Sequence, residues 1–420
     1  MSKQPKQQKQ YSDRVKRTTF TEDMKKDYTI LIPDMLPIHF NLIIKAYEHF
    51  GYKMELLTNT SRNVVDEGLK NTHNDTCYPA LLVIGQYMDA LKSGKYDVNK
   101  VALLISQTGG CRASNYIYLI RKAISTQFPQ VPVLSLNFSG LEPNPAFPMT
   151  IPIITRLIYC VLYGDMLMLL YNQCKPYEIN KNSTDQLLAR WQHRIGKLMG
   201  TKTQFMNTKS IYRAMLKDFA ALPRTKEKKP RVGIVGEIYV KYSPLANNDL
   251  NNFLMSEGCE PNVPGLLDFV LYCASDLIND ARLYDKQTPR TAAYKIGYDV
   301  LYKFQREQIK MIEEQGEFFP PHDFEHLRAC ADKYMNQGVK MGEGWLITAE
   351  MAALAETGTE NIICTQPFGC LPNHIVAKGM SRVIKEAYPN ANIVAIDYDP
   401  GATKVNQENR IKLMLANAKK

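Results

Sequence analysis

Short aliphatic runs alternate with longer amphipathic stretches along most of the chain, a pattern typical of parallel sheets covered by helices. The first half predicts four strands and two helices, with strands at 28–34, 53–59, 101–106 and 131–137 and helices near 38–50 and 79–93. The pattern then restarts, with strands at 232–240, 361–366 and 392–399 and helices at 247–257 and 373–387. The chain is therefore predicted to be an α/β protein with two parallel-sheet domains.

A charged, proline-bearing stretch, LPRTKEKKPR, precedes the restart and places a domain boundary near residue 225. Residues 1–26 contain eight Lys or Arg against three Asp or Glu, which is typical of a solvated terminal arm. The predicted organisation is a mobile basic arm (1–26), a first α/β domain (27–150), a helical connecting region (151–225) and a second α/β domain (226–420).

The composition favours a soluble cytoplasmic protein. The chain has 420 residues, 45% of them hydrophobic, which is enough for two or three domains with their own cores. We find no apolar run of the roughly 20 residues that a membrane helix needs, and no signal peptide. The net charge of +10 comes partly from the N-terminal arm, and no nucleic-acid motif accompanies it. We therefore expect neither a membrane nor a nucleic acid as a partner.

Nine cysteines in a chain without a secretion signal suit thiol chemistry, catalysis or metal ligation better than disulfides. Four of them stand among glycines and prolines, residues that present a side chain at a loop. These four are Cys77 in NDTCYPA, Cys111 in SQTGGCRASN, and Cys364 and Cys370 in IICTQPFGCLPNH. Cys160 and Cys273 lie instead in aliphatic runs, where a packing role is expected.

All four cysteines lie near predicted strand ends or helix starts, so loops from both domains could supply sulfurs to one centre in an interdomain cleft. The spacing does not identify the metal. CxxC pairs are absent, and successive separations are 34, more than 250 and 6 residues. An iron–sulfur cluster, a zinc ion and unligated thiols all stay open at this point.

Five polar side chains close to these positions are candidates for contacts with a cluster or substrate: Arg112, Ser114, Asn115, Glu237 and His374. The first three follow Cys111 directly and offer hydrogen-bond donors. Glu237 ends a predicted strand and could orient a ligand or a loop. His374 could donate to a cluster or carry a proton, and a capping role or surface exposure explains it equally well.

Several long motifs together resemble one family: NDTCYPA, SQTGGCRASNY, RVGIVGEIYVKYSP, EGW, CTQPFGCLPNHIVAKG and IDYDPGATKVNQENRIKLML. The chain is similar to the acyl-CoA dehydratase activase-related proteins, which form the C-terminal portion of long 2-hydroxyglutaryl-CoA dehydratase activators. It is more distantly similar to 2-hydroxyacyl-CoA dehydratase subunits and double-cubane cluster reductases. The resemblance runs from about residue 19 to the C-terminus.

This resemblance implies flavodoxin- or Rossmann-like domains that hold an oxygen-sensitive iron–sulfur cluster in the cleft between them. The cluster would be a 4Fe-4S cubane or an 8Fe-9S double cubane. Carried over by position, Cys77, Cys111 and Cys370 are the preferred ligands, with Cys364 as a fourth ligand or a neighbouring thiol.

The resemblance also implies a separate ATPase activase as electron donor, because the chain has no GxxxxGKS/T phosphate loop of its own. A small substrate, with a CoA thioester as one candidate, and a homodimer are the other expected partners. The predicted function is low-potential reduction of that substrate, which makes the chain an ATP-dependent reductase or dehydratase component. Two alternatives are a non-catalytic electron relay or assembly subunit for a dehydratase, and a structural zinc protein.

Overall fold

Two four-stranded sheets, in which every pair of neighbouring strands is parallel, organise the computed structural model. The structure describes residues 17–107, 110–136 and 142–418. The first sheet contains β1 (Thr29–Ile32), β2 (Lys53–Leu56), β3 (Val101–Ser106) and β4 (Val133–Leu136). The second contains β5 (Arg231–Gly236), β6 (Glu260–Asn262), β7 (Asn361–Pro367) and β8 (Asn392–Tyr398). The predicted α/β class with two parallel sheets is confirmed.

The two sheets share one topology. Their strand orders are β2-β1-β3-β4 and β6-β5-β7-β8. In each sheet the chain winds to one side of the first strand and then to the other. The point where the winding reverses lies between β1 and β3 in the first sheet and between β5 and β7 in the second.

Helices account for most of the remaining structure. In chain order they are α1 (Glu22–Asp27), α2 (Pro37–Glu48), α3 (Arg62–Asn71), α4 (Tyr78–Lys92), α5 (Tyr116–Ile124), α6 (Ile151–Cys174), α7 (Ser183–Met199), α8 (Thr208–Ala220), α9 (Ile238–Tyr242), α10 (Pro244–Asn247), α11 (Leu250–Ser256), α12 (Leu266–Leu283), α13 (Pro289–Gln315), α14 (Phe324–Asp332), α15 (Trp345–Glu356), α16 (Leu371–Asn373), α17 (Ser381–Ala387) and α18 (Lys404–Ala418). Short 3₁₀ turns cover Arg112–Asn115, Lys175–Tyr177 and Gln204–Met206, and His374–Lys378 is a π-helical turn.

The strands are apolar on both faces because helices cover both. Ile30 and Ile32 belong to one core, and Leu31 between them belongs to a second core on the opposite face. This follows from the alternation of side chains along a strand. Near-continuous aliphatic runs are the sequence pattern of such doubly covered strands.

A helical body packs against the first of these cores. It contains α6, α7 and α8 from the region between the sheets, and also α12 and α13, which leave the second sheet between β6 and β7. Helices α12 and α13 pack against each other, and they contact α6 and α8. The sequence analysis did not predict this long helical excursion from the second domain.

Helix α6 lies at the centre of this body. By length and composition, the segment Ile151–Tyr177 could cross a membrane, so the expectation that no apolar run is long enough was wrong. Most of that segment is buried inside the protein, where it contacts α2, α7, α8 and α12. Burial explains its apolar character, as for the core helix of a soluble protein.

Element ends differ most from prediction after β5. The predicted strand 232–240 stops at Gly236, and α9 begins at Ile238. Gly236 has a φ of +128°, and a Cβ at this position would lie 1.9 Å from the carbonyl oxygen of Thr365 on β7. Only glycine allows the chain to turn so close to the neighbouring strand.

Two predictions reach past the described residues. The last residue of the predicted strand 131–137 and residues 1–16 of the predicted arm lie outside them. Within the rest of the arm, Phe20 is buried and α1 begins at Glu22.

Asp165 joins the first domain, the helical body and the second domain. Its carboxylate lies 2.8 Å from Nε2 of His39 on α2. The same carboxylate accepts hydrogen bonds from the first two backbone N–H groups of α12, those of Leu266 and Leu267, at 2.7 and 2.8 Å. The buried carboxylate on α6 therefore caps the start of α12. Its contact with His39 also links α6 to α2.

We expect Asp165→Ala to lower the free energy of unfolding by about 3 kcal/mol or more, because it strips partners from buried donors of α12 and His39. Asp165→Asn should cost less, since an amide oxygen still accepts one of these bonds. Urea denaturation followed by circular dichroism measures the effect. The control is Asp218→Ala, which removes an exposed carboxylate from α8. Equal stability of the Asp165 and Asp218 variants would contradict the assignment.

Candidate functional site

Equivalent positions of the two sheets carry the candidate residues. Cys111 follows β3, Glu237 follows β5 and Cys370 follows β7. In open parallel sheets, ligands bind beyond the carboxyl ends of the strands at the point where the winding reverses. Each sheet therefore offers a binding crevice at the loops that carry these residues.

Cys77 precedes α4, and its sulfur lies 2.8 Å from the hydroxyl oxygen of Tyr116. Arg112, next to Cys111, donates a hydrogen bond to the carbonyl oxygen of Asp75 at 3.0 Å. This bond ties the Cys111 turn to the loop that carries Cys77. Arg112 thus helps to hold the two cysteine loops together, and its predicted role as a donor to a bound group stays a prediction.

Cys111 lies in the turn between β3 and α5. The Ser114 hydroxyl donates to the carbonyl oxygen of Cys111 at 2.9 Å, which closes the turn. A Cβ on Gly110 would lie 3.3 Å from the backbone nitrogen of Gly342. The backbone of the second domain thus packs directly against this turn. Asn115 is exposed and its side chain does not cap the helix that follows it.

Cys370 precedes the short helix α16. The side-chain amide of Asn373 spans the Cys370 sulfur, at 3.4 Å, and the Glu343 carboxylate, at 3.5 Å. The Nδ1 atom of His374 lies 2.9 Å from the Cys370 carbonyl oxygen, and its Nε2 lies 3.6 Å from Asp397. His374 therefore holds the Cys370 turn against β8.

Each of the three sulfurs lies within hydrogen-bond distance of a polar group. The partners are the Tyr116 hydroxyl for Cys77, at 2.8 Å, the Ala113 N–H for Cys111, at 3.4 Å, and the Asn373 side-chain amide for Cys370, at 3.4 Å. Hydrogen bonds to sulfur stabilise thiolates and tune the potentials of iron–sulfur clusters.

Glu237 and Glu343 form a carboxyl pair among these loops. Glu237 is half-buried and accepts a hydrogen bond from the N–H of Val240 at 2.7 Å, and the buried Glu343 accepts one from the N–H of Ile238 at 2.9 Å. Burial raises the pKa of both carboxyl groups, and repulsion from Glu343 raises the pKa of Glu237 further. The ammonium group of Lys241 opposes this effect. The pair therefore retains protons at a pH where an exposed glutamate has lost its own.

Burial and nearby carboxyl groups keep the three thiols protonated. Burial raises the pKa of Cys111 to about 11 and that of Cys370 to about 12, and it also raises the pKa of Cys77. The charge of Glu237 raises the pKa of all three further. In the metal-free protein these thiols are neutral at pH 7.

Cys364 does not join this group. It lies in the middle of β7, between Val235 of β5 and Ala395 of β8. Its side chain is fully buried in the core, and the thiol donates to the sulfur of Met351 at 3.2 Å. The position favours a packing role, in contrast to the ligand or neighbouring thiol that the sequence analysis expected.

The sequence analysis missed four residues of the site: Tyr116, Cys273, Glu343 and Asn373. Glu343 belongs to the EGW motif and Asn373 to the CLPNH segment. Both segments were recognised in the sequence, but neither residue was assigned a role. Cys273 was expected to pack in a core, but solvent reaches it, and the charges of Asp276 and Glu343 act on its thiol. Its aliphatic neighbours concealed this position.

An apolar cavity of about 240 Å³ lies beside Glu237. Its wall includes Ala113 and Tyr116 from the Cys111 loop, and Val161 of α6 and Val270 of α12 from the helical body. Glu237 is the acidic group in this wall. Such a cavity suits a small apolar group with a polar function at one end.

The spacing of the three thiols argues against one shared metal ion. Their sulfurs, all within the described part of the chain, do not form a group within 4.8 Å of one another, the separation expected around one ion. Thiolates of a cubane bind different irons and lie farther apart. Three thiols from separate loops are the kind of donor set that binds an iron–sulfur cluster.

No protein-family model matches the chain, and no curated protein matches its sequence.

The buried carboxyl pair predicts a pH dependence of stability. Below the unfolded-state pKa of about 4.3, glutamate is protonated in both states and contributes no difference. Above it, the carboxyl ionises in the unfolded chain but not in the folded protein. The free energy of unfolding of the metal-free protein should therefore fall by up to about 1.4 kcal/mol per pH unit per carboxyl until the raised folded-state pKa is reached. The double variant Glu237→Gln/Glu343→Gln should lack this part of the slope. Urea midpoints between about pH 4.5 and pH 8 measure it.

The matched control for this experiment is Glu314→Gln, which replaces an exposed carboxyl on α13 and should keep the wild-type slope. Parallel pH profiles for the wild type and the double variant would show that the two carboxyls are not held in their protonated form.

Proposed function

We propose that this chain is an iron–sulfur protein that accepts low-potential electrons from a separate ATPase and reduces a small substrate in the cleft between its two sheets. The observation that carries the proposal is the grouping of Cys77, Cys111 and Cys370 around Glu237. The motif resemblance supports the same reading, and the absence of a phosphate loop in the sequence supports a separate ATP-hydrolysing donor.

A bound cluster supplies one-electron transfer at low potential. The chain provides the conditions for it. Three thiols from separate loops would hold it as thiolates, and the Tyr116 hydroxyl and the N–H groups of Ala113 and Asn373 would offset their charge. Both domains would supply ligands, and all three cysteines are partly buried.

Glu237 is placed to supply a proton. It keeps its proton at neutral pH because burial and Glu343 oppose its ionisation. It lies both among the thiols and in the wall of the apolar cavity. A carbonyl that gains an electron also gains negative charge, and a neutral carboxylic acid can donate a hydrogen bond or a proton to it.

The apolar cavity favours an enzyme over an electron relay. A relay needs a route for electrons but no enclosed space for a third molecule. The cavity of about 240 Å³ beside Glu237 has room for a short acyl or aromatic group. A thioester with its carbonyl at Glu237 and its apolar chain in the cavity matches the polarity of the wall.

Anaerobic purification with iron, sulfide and zinc quantification tests the ligand assignment. We expect iron and sulfide in the native chain and their loss in Cys77→Ala, Cys111→Ala and Cys370→Ala, because each variant removes one thiolate from a set that only jointly holds a cluster. Cys364→Ala should retain its iron, since that thiol packs against Met351.

About four irons per chain would mean a cubane and about eight a double cubane. Absence of iron under strictly anaerobic conditions, or iron that persists in all three loop variants, would exclude the proposed centre.

The role of Glu237 is tested by reoxidation of the reduced protein. We expect a CoA thioester from a panel of 2-hydroxyacyl and acyl thioesters to reoxidise the protein, with the rate about 100-fold lower in Glu237→Gln because the proton donor is lost. Stopped-flow absorbance measures the rate, and iron content verifies that the variant still holds its cluster.

Glu314→Gln, far from the cleft on α13, should react at the wild-type rate. A reduced protein that no thioester reoxidises would favour the relay, and an unchanged rate in Glu237→Gln would remove this carboxyl from the reaction.

A further inference from the structure

His326, Cys330 and Glu356 form a compact group away from the cleft. His326 and Cys330 lie one turn apart on α14, and Glu356 is the last residue of α15. Three short distances link them: 3.6 Å from the histidine Nε2 to the sulfur, 3.4 Å from the sulfur to the Glu356 Oε2, and 3.6 Å from that oxygen to the histidine nitrogen.

These distances match one face of a tetrahedral zinc site. Zinc binds nitrogen and carboxylate oxygen at about 2.0–2.2 Å and thiolate at about 2.3 Å. At tetrahedral angles the ligand atoms then lie about 3.3–3.6 Å apart. The described group has this spacing and the nitrogen, sulfur and oxygen donors that zinc prefers.

We propose that His326, Cys330 and Glu356 bind a zinc ion at a site separate from the cleft thiols. The cleft residues lie near the first residue of α15 and Glu356 is its last, so the 12 residues of this helix separate the two places by about 18 Å. The proposal does not depend on the proposed reductase function.

Helix packing and capping hold the two helices that carry this site in place. Helices α14 and α15 pack against each other. The Asp323 side chain caps α14 by accepting hydrogen bonds from the N–H groups of Glu325 and His326. Cys330 is fully buried, whereas His326 and Glu356 are partly exposed, which leaves a path for an ion to enter.

Three protein ligands leave a fourth position open for water, as in zinc sites that bind or activate a further molecule. His326 lines a cavity of about 460 Å³ that His322 also lines, and the two imidazole rings lie 6.0 Å apart. Burial lowers the pKa of His322 to about 4, so this neighbour is uncharged at neutral pH and does not repel a cation.

The ammonium group of Lys333 competes with a metal ion for the Glu356 carboxylate. Its ammonium nitrogen lies 3.6 Å from the Glu356 oxygen that would bind the ion. Removing this charge should therefore strengthen zinc binding, an effect that a purely structural ion pair does not predict.

Zinc titration of the full-length protein, in competition with a chromophoric chelator under anaerobic conditions, tests the proposal. We expect one tight zinc site that weakens more than about 100-fold in His326→Ala, Cys330→Ser and Glu356→Gln, since each loses a direct ligand. Lys333→Ala should bind about tenfold more tightly. His193→Ala removes an exposed histidine from α7 and should leave binding unchanged.

Cobalt substitution identifies the sulfur. A thiolate-to-cobalt absorption band should appear in Cys77→Ala/Cys111→Ala/Cys370→Ala and vanish when Cys330→Ser is added. Unchanged zinc affinity in both Glu356→Gln and Lys333→Ala, two surface changes that circular dichroism can show to be folded, overturns the proposal. Loss of zinc in the variant that lacks Cys77, Cys111 and Cys370 also overturns the proposal. His326→Ala should leave the iron content unchanged.

Discussion

The burial of several carboxyl groups around one ammonium group is the constraint on which the candidate site depends. Burial raises the pKa of four carboxyl groups, those of Glu237, Glu343, Glu350 and Asp268. The charge of Glu343 further raises the pKa of Glu237 and Glu350, and the charge of Glu350 further raises that of Asp268. Lys241 faces Glu350 at 3.2 Å and cannot compensate all of them. The region therefore favours neutral, protonated acids. Any further negative charge brought near these carboxyl groups raises their pKa again, so the region takes up protons together with negative charge.

The sequence predicted the sheets because aliphatic runs bounded by glycine and proline are specific for doubly covered strands. It missed β6 (Glu260–Asn262), since a strand of Glu, Pro and Asn carries no aliphatic run. It also missed the excursion of α12 and α13. Amphipathic helices can be recognised locally, but their attachment to α6 depends on tertiary contacts such as the Asp165 cap.

Loop context singled out Cys77, Cys111 and Cys370 as candidates, and Cys111 and Cys370 follow equivalent strands, β3 and β7, of the two sheets. The same context singled out Cys364, because a motif does not show where a strand ends. The register of β7 places Cys364 within the strand, and its side chain is buried in the core. Glu343 and Asn373 could not be assigned, since their importance comes from neighbours more than 25 residues away in sequence. The identity of the bound cofactor stays a prediction.

The order of the loops along the chain has a consequence for biosynthesis. Cys77 and Cys111 belong to a sheet whose strands are complete at Leu136, whereas Cys370 is synthesised only after β5, β6 and β7 of the second sheet. A group held by all three thiols can be bound only after that moment. In the interval the second domain, whose Gly342 backbone packs against the Cys111 turn in the folded protein, is absent, so the Cys111 thiol is more accessible to oxidants and disulfides than it is after folding.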